Sequence, residues 1–306
     1  MLAVIEPRSP VAQDRKELLS EPSTAPRVAE APASNIFGDA FRQYDASHES
    51  ERQKQVRLFY AENHKENTLA HVLDQKERYL SFDGSRPVLT IWEAMELCGE
   101  IVDDSDPDLD LPQIEHAMQT AEAIRAAYPD KDWLHFAAFI HDLGKVLAHP
   151  RFGSAPQWAV VGDTFPVGVR FDESIVYHSA FAANPDSADP RYNTEFGIYS
   201  RGCGLDSVHM SWGHDEYMYQ VLVNSGCTLP LEALYIVRFH SFYALHREDR
   251  YGRLLDERDR AALPWIKEFN KYDLYSKSSE RLYTPELHAY YDALADKFLP
   301  NKHLQW

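Results

Sequence analysis

Four histidines and two aspartates set the tightest constraint on how this chain can fold. They are His116, the adjacent pair His141-Asp142, His214, His240 and Asp273, each in a helix-like stretch rich in apolar and aromatic residues. A solvated histidine is least expected in such surroundings. Four imidazoles and two carboxylates can hold two metal ions if one carboxylate bridges them, since a carboxylate offers two oxygens and a neutral imidazole one free lone pair. A fold that uses this set must gather segments widely separated in sequence around one point.

At 306 residues, 44% hydrophobic and 12% aromatic, the chain has ample material for a buried core. Lys and Arg number 31 against 48 Asp and Glu, a formal net charge of -17. A surface of that sign repels phosphate polymers and anionic membranes, so no nucleic-acid or membrane partner is expected. No apolar run approaches a membrane span, and the first residues lack the basic region of a secretory signal. Cys98, Cys203 and Cys227 form no C-x-x-C pair and read as reduced thiols in a cytoplasmic protein.

Residues 1–35 carry Pro7, Pro10, Pro22, Pro26 and Pro32 without apolar periodicity and read as a flexible tail. Residues 36–306 read as a single, mainly α domain. Apolar spacing predicts helices over 43–64, 67–79, 90–102, 113–128, 132–147, 212–223, 231–245, 261–275 and 285–298. Thr90-Ile91-Trp92-Glu93 opens the third with a capping box. The stretch 150–193 differs. Gly153, Pro156, Gly162, Pro166, Gly168, Pro185 and Pro190 mark a long irregular Pro/Gly-rich insertion, with a short strand expected at 158–161.

Taken singly, the site residues have plainer readings. His116 would be a surface histidine bonded to Glu115 or Glu122, His240 a satisfied core histidine, and Asp273 a helix-surface carboxylate. Their joint occurrence with His141-Asp142 favours a metal site. Gly144 permits a close approach beside that pair, and Lys145 falls one turn on, on the same side. A second pair, His214-Asp215, leaves open which residue ligates. Nitrogen and oxygen donors without thiolate suit iron, manganese or cobalt better than structural zinc.

The H…HD…D skeleton resembles the HD-domain superfamily of helical metal-binding proteins, mostly phosphohydrolases. The fuller motifs resemble the myo-inositol oxygenase family from about Ala40 to Trp306. They are Ser105-Asp106-Pro107-Asp108, the run HDLGKVLA from His141, PQWAVVGDTFPVG from Pro156, SWGHDEYMYQV from Ser211, RFHSFY from Arg238 and EFNKYDLY from Glu268. The resemblance implies an HD-type helical bundle holding a mixed-valent Fe(II)/Fe(III) pair. Such an enzyme opens the ring of myo-inositol with O2 to give D-glucuronate. The substrate is chelated to one iron, and a superoxide removes the C1 hydrogen. It implies that His116, His141, Asp142 and Asp273 hold one iron and His214 and His240 the other. Asp142 bridges them, and Asp215 stands outside the set. Lys145 stabilises charge on the reacting substrate. Substrate contacts carried over are Arg42, Asp103, Asp104, Ser105, Lys145, Gly162, Asp163, His240 and Ser241, and the family suggests a monomer. The tail 1–35 lies outside the resemblance, and the link from His149 to Pro156 is longer than expected. An HD-type phosphohydrolase is the alternative enzyme, for which Arg42, Lys145 and Arg238 would be the nearby cations. A helical interaction domain without metal is the non-enzymatic one.

Overall fold

The computed structural model describes residues 51–107, 113–152, 155–275 and 282–306. Ten α-helices are present among them: α1 (Glu51–Glu66), α2 (Leu69–Tyr79), α3 (Ile91–Cys98), α4 (Gln113–Ala127), α5 (Asp132–Ile140), α6 (His214–Asn224), α7 (Leu231–Phe239), α8 (Tyr243–His246), α9 (Glu257–Tyr275) and α10 (Pro285–Phe298). The chain is therefore mainly α, in accord with its periodicity.

The helices form where local chemistry closes their ends. Thr68 caps α2 by accepting from the His71 amide, and Thr284 caps α10 by accepting from Leu287, with Pro285 in the first turn. The Thr90–Glu93 capping box is present in both directions.

Helix α5 is apolar over most of its surface. Leu134, Phe136, Ala137, Ala138, Phe139 and Ile140 are all buried, as expected of a helix enclosed by others. It packs against α4, α7 and α10, while α9 closes over α4 and α7. The C-terminus is pinned by a two-stranded antiparallel pair, β1 (Val88–Leu89) with β2 (Leu304–Gln305). Fully buried Trp306 donates its indole N–H to the Leu89 carbonyl at 3.1 Å. A side chain of that size contributes roughly 2–3 kcal/mol by burial alone.

Two predicted helices are interrupted. The expected helix 132–147 ends at Ile140 and resumes as a 3-10 turn over Leu143–Ala148, and 231–245 breaks between Phe239 and Tyr243. The expected strand at 158–161 is instead a 3-10 turn, Gln157–Ala159. From 149 to 213 the described backbone contains 3-10 turns and bends but no α-helix. No described helix is long and apolar enough to cross a membrane.

Candidate metal centre

The helix interruptions fall at the predicted ligands. His141 directly follows α5, His240 directly follows α7, and His214 is the first residue of α6. At a helix C-terminus the last carbonyls lack intrahelical partners. His141 and His240 satisfy them identically. Nδ1 of His141 donates to the Ala138 carbonyl at 2.7 Å, and Nδ1 of His240 to Val237 at 3.1 Å. His214 donates from Nδ1 to the Val160 carbonyl at 2.8 Å. With Nδ1 carrying the proton, each Nε2 lone pair is turned inward, the tautomer a metal requires.

Two of the remaining three predicted ligands come from within helices. Nε2 of His116, on α4, lies 3.0 Å from Oδ1 of Asp273, on α9, and its Nδ1 is buried without a hydrogen-bond partner among the described residues. The same Asp273 oxygen is 3.3 Å from Nε2 of His141. Asp142 stands between the histidine pairs. Its Oδ2 is 3.5 Å from His141 Nε2 and 3.7 Å from His116 Nε2. Its Oδ1 is 3.2 Å from His214 Nε2 and 3.5 Å from His240 Nε2. One carboxylate thus divides four histidines between its two oxygens. None of the six side chains belongs to a residue more than 6% exposed.

This arrangement calls for cations. Nε2 of His214 and Nε2 of His240 face each other at 3.2 Å, so either one of them carries a proton or a cation must lie beside them. Burial would lower the pKa of His214, but the carboxylates of Asp215 and Asp142 raise it to about 10. Burial would raise Asp273, but its bonds to His116 and His141 hold it well below the usual carboxylate range. The donors are nitrogen and oxygen without thiolate, which fits iron or a similar metal.

Asp215 comes closer than the resemblance implies. Its Oδ1 is 2.9 Å from His214 Nε2 and 3.6 Å from His240 Nε2. Its carboxylate also accepts from the Ser241 amide at 3.1 Å and the Ser241 hydroxyl at 3.0 Å.

A polar cleft opens from the cluster. Of the predicted substrate positions it is lined by Asp103, Ser105, Lys145, Gly162, Asp163, His240 and Ser241. Lys145 Nζ sits 2.8 Å from both Asp103 Oδ2 and Asp142 Oδ2, and donates to Gln113 at 3.2 Å. Burial opposes its charge, but the two carboxylates outweigh burial and raise its pKa well above the ordinary lysine value. Asp104 departs from the expectation. Its side chain is exposed and does not line the cleft, because its amide is held against Gln157. Arg42 lies outside the described residues. Tyr60, Asp106, Pro107 and Tyr243 also line the cleft, and Tyr60 donates to Asp163 Oδ1 at 3.0 Å across 103 residues. No local sequence signal marks Tyr60, which reads as one more aromatic of an amphipathic helix.

Buried imidazoles and carboxylates converging at the helix ends of an α-bundle, beside a polar cleft, define a candidate metalloenzyme site. Comparison with known proteins narrows the class. A family model described as myo-inositol oxygenase matches residues 53–306. The chain is 55% identical over 277 residues to inositol oxygenase 1 of Arabidopsis thaliana, covering 90% of this chain and 88% of the relative. It is 48% identical to the inositol oxygenase of Dictyostelium discoideum, covering 88% and 90%, and 47% identical to that of Homo sapiens, covering 92% and 95%. The chain belongs to the myo-inositol oxygenase family, a family of oxygenase enzymes.

Proposed function

We propose that the chain opens the ring of myo-inositol with O2 to give D-glucuronate at a two-iron centre. Residues 36–306 act as one catalytic domain behind the tail 1–35, as a cytoplasmic monomer. The observation that carries the reading is the division of four histidines between the two oxygens of Asp142. The names of the relatives supply the substrate, and a single match over 53–306 with one continuous hydrophobic core supports one domain.

When bound, a mixed-valent iron pair supplies the electron chemistry by which O2 attacks a C–H bond. His116, His141 and Asp273 would hold one ion and His214 and His240 the other, with Asp142 shared. The remaining residues bind and orient a neutral polyol. The carboxylates of Asp103 and Asp163 accept from substrate hydroxyls, and Ser105 and Ser241 can donate or accept. Gly162 adopts φ +94°, a backbone conformation suited to glycine, and a Cβ there would press on the Phe59 ring at 3.0 Å. Lys145, kept charged by its two carboxylates, is placed to stabilise negative charge developing on a substrate oxygen.

The surroundings favour a polyol over a phosphate ester. Arg238 is engaged by Glu216 at 2.7 Å and Asp206 at 2.6 Å, and among the described residues lining the cleft the lysines and arginines are represented by Lys145 alone. The test is oxygen uptake by iron-loaded, reduced protein given myo-inositol, with D-glucuronate assayed alongside. Oxygen uptake matched by glucuronate supports the proposal. Hydrolysis of phosphate esters without oxygen uptake overturns it.

A further inference from the structure

Residues 102–106 carry Asp103 and Ser105 into the cleft with no helix or strand to hold them. Two side chains from distant elements perform that task. Arg52, in the first turn of α1, donates from Nη2 to the carbonyls of Asp103 and Asp106, each at 2.7 Å, and from Nε to Asp106 at 3.1 Å. Gln157 accepts from the Asp104 amide at 2.9 Å and donates to the Val102 carbonyl at 2.8 Å. Backbone groups of Val102, Asp103, Asp104 and Asp106 are thus held by two planar forks. A planar fork fixes direction as well as distance, which a single ammonium cannot do.

The placement of Gln157 adds a second consequence. Its 3-10 turn leads within a few residues to Gly162 and Asp163, which also line the cleft. Gln157 therefore ties the 102–106 turn to the segment that carries Gly162 and Asp163, while Arg52 ties it to α1. The turn so held presents Asp103 to Lys145 at 2.8 Å. The Asp103 carboxylate accepts from the Ser105 amide at 2.8 Å and from Lys145, while the backbone that carries both residues would otherwise rely on water for the groups that Arg52 and Gln157 hold.

We infer that Arg52 and Gln157 are positioning residues of the substrate pocket. They touch neither metal nor substrate, and they set where Asp103 and Ser105 stand over the metal centre. The kinetic arm of the test rests on the proposed myo-inositol activity, whereas the exchange arm does not.

The test compares the wild type with Gln157→Ala, Gln157→Glu, Arg52→Ala and Arg52→Lys. It measures metal content, melting temperature, hydrogen–deuterium exchange of residues 102–107, and both kinetic constants. In Gln157→Ala the Asp104 amide should exchange roughly tenfold faster, the loss of about one hydrogen bond. Gln157→Glu keeps an acceptor and should retain that amide's protection. Arg52→Lys keeps the charge without the fork and should behave like Arg52→Ala. Both alanine variants should retain metal, with KM for myo-inositol rising roughly tenfold and kcat falling by less. Unchanged exchange of 102–107 in both alanine variants overturns the inference. So does a lower kcat and melting temperature at unchanged KM, the pattern of a merely structural role. If the wild type does not turn over myo-inositol, the proposed activity fails by itself and exchange alone decides the clamp.

Discussion

Gly144→Ala probes the crossing on which the whole site depends. The segment Leu143–Ala148 passes over the start of α6 at Gly144. A Cβ built there would overlap the His214 carbonyl oxygen and lie 2.8 Å from its carbonyl carbon and 2.9 Å from its Cα. Carbon atoms rest comfortably about 3.5–4.0 Å apart, so the two backbones must separate by roughly 1 Å. No rotamer can relieve the clash, because all three neighbouring atoms belong to the His214 backbone. Overpacking of this kind costs about 3 kcal/mol, or about 6–12 °C in melting temperature for a chain of this size. The displacement also carries His214 Nε2 away from Asp142 Oδ1, now 3.2 Å distant. Metal–nitrogen bonds of about 2.1 Å leave no room for such a shift. Calorimetry and metal analysis should find a lower melting point and loss of the metal proposed at His214 and His240, with the proposed His116, His141 and Asp273 site still filled. A variant with wild-type melting and full metal content would refute the argument.

Three further outcomes follow from the same geometry. Asp142→Ala should lose both metals, since each histidine pair faces one of its oxygens; retained metal content would rule out the bridge. Lys145→Ala should keep its metal but lose about 10²–10³ in kcat, and near-normal turnover would remove it from the chemistry. Glu216 gives a pH test. Burial would raise its pKa, but Arg238 and Lys76 lower it to about 2 from 4.5. Its contribution, on the order of 3 kcal/mol, is present above the unfolded value near 4.5 and lost as pH falls toward 2. Glu216→Gln should therefore be less stable at pH 7 and show a flatter melting curve between pH 5 and 2; an acid limb as steep as the wild type's would contradict the assignment.

The sequence foretold helix existence better than helix ends, and the reason lies in particular residues. Helix α10 begins and ends where its pattern predicts, because Thr284 and Pro285 mark the start locally. The expected helix 90–102 has the capping box in place but stops at Cys98, one residue before Gly99. The breaks after Ile140 and Phe239 are not written in propensity. They arise because histidine side chains take over the bonding of last-turn carbonyls and because Gly144 must cross the backbone of His214. The predicted ligands converge because chemically costly residue types in apolar segments leave a trace in composition. Tyr60 and Arg52 left none, and Gln157 stood out only as part of the run from Pro156, without a role. Their roles are contacts to groups more than 50 residues away, set by tertiary packing alone. Asp104 illustrates the converse. The resemblance implied contacts at Asp103, Asp104 and Ser105, and the turn directs Asp103 and Ser105 into the cleft and leaves Asp104 exposed.

Diffraction from iron-loaded crystals at the iron absorption edge examines the bridging role of Asp142 most directly. Two anomalous peaks should flank that carboxylate, one among His116, His141 and Asp273 and the other beside His214 and His240. A single peak, or peaks that leave Asp142 out of contact with either metal, would contradict the account.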